Sequence, residues 1–152
     1  MFRLQRPDAR GARRGNNRGS SIVEFALFIP WYVFLFVGAF DFGFYSYSLI
    51  ATQNAARVAG MYCSTSTSRA ASCGNACGYV LDQLRSLPNV GSGLSVCTTA
   101  PVVVTTTSST GPDSATAAQV TVVYTTPQLI PIPGLIPGQL TISRTAWFRV
   151  QS

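Results

Sequence analysis

The chain contains no lysine and no histidine; its eleven basic residues are all arginine, set against five acids. Without histidine it lacks the commonest general base and metal ligand, and most hydrolytic and metal chemistry goes with it. Charge is scarce between Glu24 and Arg57, where Asp41 is the only charged residue and Phe25 to Phe40 carry none. The remaining acids, Asp82 and Asp113 among scattered Ser and Thr, form no catalytic spacing, so the expected role is not enzymatic and needs no cofactor. Asp41-Phe42-Gly43 spells a kinase motif, but no phosphate-binding glycine loop or catalytic loop accompanies it.

What charge there is lies unevenly. Arg3, Arg6, Arg10, Arg13, Arg14 and Arg18 stand against Asp8, a net +5 of the total +6; from Ser20 onward five Arg face Glu24, Asp41, Asp82 and Asp113. A basic tail before a hydrophobic segment is a membrane-topology signal that holds the tail in the cytoplasm, and it argues against nucleic acid as a partner.

The apolar residues concentrate between Ile22 and Ile50. A helix from Ser20 to Tyr62 would be ~65 Å long, whereas a bilayer core is ~30 Å thick, so its second half is expected to project and carry a head. Three zones follow: a basic leader, 1–19; a transmembrane and extended helix, 20–62; and a small head, 63–152. An ordinary signal peptide fits poorly, because the apolar run exceeds 15 residues and no small-x-small site closes it.

Within the head, STSTSRAAS reads as a polar break. Ala76, Val80, Leu81, Leu84 and Leu87 then share one helical face that Pro88 ends, which predicts a helix over about Asn75–Leu87. Val102–Thr106, Gln119–Thr126 and Gln139–Val150 read as strands, with SSTGPDSA and PQLIPIPGLIPG as loops. The second loop is apolar and packs over the sheet or meets a partner; we favour the packed reading. The expected fold is α+β, a long transmembrane helix extending into a small extracytoplasmic head with a short helix and a three-stranded antiparallel sheet.

Cys63, Cys73, Cys77 and Cys97 all follow the apolar segment. Four cysteines in a small Ser/Thr-rich region suggest two disulfides in an oxidising compartment, and the absence of paired CxxC units argues against a metal. Three connectivities exist; we favour Cys63 with Cys97 and Cys73 with Cys77.

The junction RGSSIVEFALFIP is the informative stretch. An acid at the start of an apolar run costs ~2.5–3.5 kcal/mol to insert and usually marks a pairing. Cleavage after Gly19 would give Ser20 a free α-amine one helical turn from Glu24, able to pair within the chain or with a neighbour. A simpler reading makes Glu24 a helix-start acid, capped by Ser20 and Ser21 and favoured by the helix dipole. Asp41 reads as an acid at the outer membrane interface, with an interhelix contact as the lesser alternative.

Gly19 with Glu24 and Phe25 resembles the processing site of type IV pilins. The wider segment resembles the TadE-like family, minor pilins or pseudopilins of bacterial tight-adherence (Flp-type) pili. The residues that carry the likeness are Val23, Glu24, Phe25 and Ala26, Pro30, the Asp41–Phe42–Gly43 group and NAARVAG from Asn54 to Gly60. Ser20 stands where classical type IV pilins have Phe, which favours the tight-adherence branch. The resemblance implies cleavage by a prepilin peptidase. It also implies partners among other pilin subunits, the pilus assembly platform and the lipid bilayer of the bacterial inner membrane, with the N-terminus cytoplasmic and the head periplasmic or extracellular. The competing reading is an unprocessed signal-anchored protein whose head binds a partner.

Overall fold

The uncharged run folds as part of one helix, α1 (Arg18–Cys63), in a computed structural model that describes residues 18–111, 113–128 and 138–151, with side chains from Ile22 onward. The basic leader up to residue 17 and most of the PQLIPIPGLIPG loop, residues 129–137, lie outside the described residues. Pro30 sits inside α1. It has no N–H to give the carbonyl of Ala26, a deficit that a long helix absorbs locally.

The structure divides between Phe36 and Val37 into two compact units. In the first, every large apolar side chain from Ile22 to Phe36 is exposed. The most apolar 18-residue window of α1 has a mean hydropathy of 2.0 and none of it is buried. Among the described residues this is the one helix long and apolar enough to cross a membrane.

The second unit is α+β. After α1 come α2 (Thr67–Ala71), α3 (Ala76–Leu84), β1 (Val102–Thr110), β2 (Thr116–Thr125) and β3 (Thr141–Arg149), the strands forming an antiparallel sheet in the order β1-β2-β3. Val102 faces Tyr124, and Tyr124 faces Ile142. Alternation along β2 is clean: Ala118, Val120, Val122 and Tyr124 are buried, while Gln119, Thr121, Val123 and Thr125 are half-exposed on the other face. The buried set packs with Ala55, Ala56 and Ala59 of α1 and with Val80, Leu81 and Leu84 of α3 in one core.

Several boundaries move. The polar break holds a helical turn, α2, because Ser66 caps it by accepting from the Arg69 N–H at 3.3 Å. The first strand extends through Ser108 and Ser109 to Thr110, since Gly111 and Ala115 close a tight turn by an N–H to carbonyl bond of 2.8 Å. α3 stops at Leu84; Leu87 and Val90 continue only as turns, by 2.9 and 3.2 Å bonds back to Leu84 and Leu87.

The favoured disulfide pairing is wrong. Cys63 joins Cys73 and Cys77 joins Cys97, each with Cα atoms 5.6 Å apart. The cause is α2. The chain turns back at once after α1, with Ser64 N–H bonded to Gly60 and Thr65 N–H to Tyr62, and so returns Cys73 to the helix end. Cys77, in the first turn of α3, then meets the segment that leads into β1.

Candidate functional site

The junction residues lie on one helix. Ser20 and Glu24 are four residues apart on α1, one turn or ~6 Å along its axis. Glu24 is exposed. The described part of α1 opens at Arg18. Ser20, Ser21 and Glu24 all lie within it. Val23 and Phe25 beside Glu24 are exposed as well.

Asp41 behaves differently. It is 4 % exposed and belongs to the second unit, with its Oδ2 buried and without a hydrogen-bond partner among the described residues. Asp41, Ser48, Thr52, Ala55 and Ala59 recur at helical spacing and are all buried, so the acid stands on the stripe of α1 that the head covers. Ser48 and Thr52 satisfy their hydroxyls on the helix itself, donating to the carbonyls of Phe44 at 2.9 Å and Ser48 at 2.7 Å. Asp41 is thus a buried acid at the start of the head.

Gly43 and Gly60 also separate. A Cβ at Gly43 would meet no atom within 4 Å, so packing within the chain does not require glycine there. A Cβ at Gly60 would lie 2.6 Å from Cδ2 of Phe148. The Ala-rich end of the motif is therefore the seat of the sheet: Ala55, Ala56 and Ala59 are fully buried and Gly60 admits the Phe148 ring. Small residues at i, i+4 and i+5 were the available signal.

Sequence reasoning missed a buried polar cluster beneath the sheet. Tyr124 is fully buried and donates to Asn89 Oδ1 at 2.6 Å, while Asn89 Nδ2 donates to the Thr125 carbonyl at 2.7 Å. Burial pushes the Tyr124 phenol up to about 12. Near the end of α1, Tyr62 and Tyr79 rings meet at 4.4 Å and the Arg69 guanidinium lies 4.9 Å from the Tyr62 ring. No group of three or more His, Cys, Asp or Glu residues able to hold a metal occurs among the described residues.

Residues 19–60 match the family of TadE-like proteins. The chain carries a TadE-like segment. The match opens on Gly19 and closes on Gly60, so it takes in Glu24, Pro30, Asp41, Gly43 and the small residues that seat the sheet. The match suggests a pilus-associated protein, and the apolar helix within it is a candidate membrane span. No curated protein and no solved structure matches the chain. The head beyond Gly60 is thus described by its own structure alone.

Proposed function

We propose that this protein is a minor pilin or pseudopilin that acts in assembly of a tight-adherence pilus and is cut after Gly19 by a prepilin peptidase. The observation that carries the reading is the TadE-like match over residues 19–60, which coincides with an exposed apolar helix and begins at the residue where cleavage would fall. The apolar part of α1 sits in the bacterial inner membrane with the leader in the cytoplasm, and the disulfide-bonded head lies on the oxidising side. After cleavage the Ser20 α-amine becomes the counter-charge of Glu24, in the same chain or in a neighbouring subunit. An unpaired carboxylate is costly in lipid, so this pairing selects the register in which helices pack. The protein serves as a structural component, with no catalytic chemistry of its own.

The N-terminal residue and intact mass of the protein from its native membrane test this reading. A chain that starts at Ser20 supports it. A chain that retains the leader leaves an anchored membrane protein outside the processed pilin pathway.

A further inference from the structure

The three-stranded sheet has two edges, and they differ. On β1 the outward N–H of Val104 donates to the Cys97 carbonyl at 2.9 Å, so the segment before the strand covers that edge. On β3 the backbone alternates. Val150 N–H bonds Thr116 and the Leu140 carbonyl receives Thr126 N–H, which fixes the even residues as those that pair with β2. Thr141, Ser143, Thr145, Trp147 and Arg149 therefore turn their backbone groups outward. At the far end Gln151 N–H reaches Ser64, and the Ser143 carbonyl receives Arg144 Nη1 at 3.3 Å. Around Thr145 and Trp147 the edge has no backbone partner among the described residues.

A groove of about 530 Å³ runs along that open stretch. Gln53, Arg57 and Met61, one face of α1, form one wall, and Thr145, Trp147 and Phe148 form the other. Met61 and Trp147 are half-exposed there, at 52 % and 49 %. Arg57 on the wall and Arg144 beside Thr145 make no ion pair among the described residues, the head's ion pairs being Asp82–Arg85 and Asp113–Arg149. An open strand edge normally carries a bulge, a proline or a cover. This one borders a groove of mixed lining that holds Arg57, with Arg144 next along the strand, neither in an ion pair among the described residues.

We propose that the edge of β3 is a strand-docking site, which takes an extended segment of a partner protein with alternating apolar side chains and an acid opposite Arg57 and Arg144. Backbone groups at Thr145 and Trp147 would supply the ladder, and the groove would supply the pockets for alternate side chains. A second copy of this chain fits poorly. Gly60 meets Phe148 and Ser64 meets Gln151, so β3 runs in the same direction as the end of α1 that it lies against. Two copies joined antiparallel through β3 would set the head-side ends of α1, which lie along β3, in opposite directions on either side of the new ladder. Their Arg57 and Arg144 side chains would also converge. The site lies wholly in the head, so it stands even if cleavage after Gly19 fails.

The test uses the full chain in a lipid nanodisc and a labelled synthetic peptide that alternates Val and Thr around a central Glu. The expected result is saturable binding, read by anisotropy, with backbone amides of Thr145 and Trp147 becoming protected from exchange. Methylation of alternate peptide nitrogens and the Arg57→Glu substitution should each weaken binding about ten-fold or more, and Arg57→Glu should prefer the peptide with central Arg. Absence of binding, or binding indifferent to both changes, overturns the proposal. So does protection of those amides before peptide is added, whether in a monomer, where the chain's own segment covers the edge, or in a dimer, where a second copy does.

Discussion

Gly60 and Phe148 define how closely the sheet approaches the long helix: a Cβ on Gly60 would stand 2.6 and 2.9 Å from two carbons of the Phe148 ring. Real side chains do not accept such distances, so the ring or the helix would have to move. Gly60→Val is expected to destabilise the head by about 1–3 kcal/mol through overpacking. Gly60→Ala should cost less, because alanine recovers up to ~1 kcal/mol of helix propensity. Thermal unfolding of each variant, alone and with Phe148→Ala, checks the cause. If the ring clash is responsible, the double variant will be more stable than the two single effects added together.

The disulfides yield a second expectation. Unreduced peptide mapping should recover Cys63 linked to Cys73 and Cys77 linked to Cys97. The loops they close are short, with sequence separations of 10 and 20. In the chain-entropy treatment each contributes about 3 kcal/mol, the longer loop slightly more. Replacing one pair by serine should lower the midpoint of head unfolding, and replacing both should lower it further. Recovery of a Cys63–Cys97 peptide would contradict the turn-back made by α2.

Tyr124 makes stability depend on pH at the alkaline end. Its phenol ionises near 10 in the unfolded chain but is pushed up to about 12 by burial in the fold. The folded state thus keeps a proton that the unfolded state releases. Stability is unaffected below pH 10 and falls as pH rises from 10 through 12, by about 3 kcal/mol when fully developed. Denaturant unfolding at stepped pH should show this decline, and Tyr124→Phe should flatten it. That variant should also cost ~1–2 kcal/mol at neutral pH, because Asn89 Oδ1 loses its donor.

The sequence announced the apolar helix, the small α+β head and the three strands because each rests on a local pattern: an uncharged run, a 3.6-residue stripe from Ala76 to Leu84, and β-branched alternation. It could not announce the disulfide pairing, which follows from a single turn at Ser66–Ala71 that opens on four polar residues and is too short to carry a periodicity. Asp41 was legible as an anomaly but not as a buried one. A lone acid at the end of an apolar run looks the same whether a head covers it or solvent does. The Tyr124–Asn89 contact joins residues 35 apart in sequence, and neither has a marked local context. Gly60 was visible as part of a small-residue group, though its partner, 88 positions away (148 − 60), was not.

Substitutions at the junction separate processing from packing. Gly19→Leu places a large side chain at the proposed scissile position and should leave the leader attached, seen as a heavier chain by intact mass. Glu24→Ala leaves Gly19 untouched, so the chain should still start at Ser20. It removes the carboxylate that answers the new amine, however, and assembly should fall although the head remains folded and oxidised. The size of the loss reflects a pairing made in lipid, where an uncompensated charge costs ~2.5–3.5 kcal/mol, enough to lower assembly more than ten-fold. Glu24→Asp keeps the charge on a shorter arm and should recover part of the function, while Glu24→Gln, which keeps shape without charge, should not. If the Gln variant assembles as well as the original chain, Glu24 acts through its size or polarity, and the charge-pairing account of register is wrong.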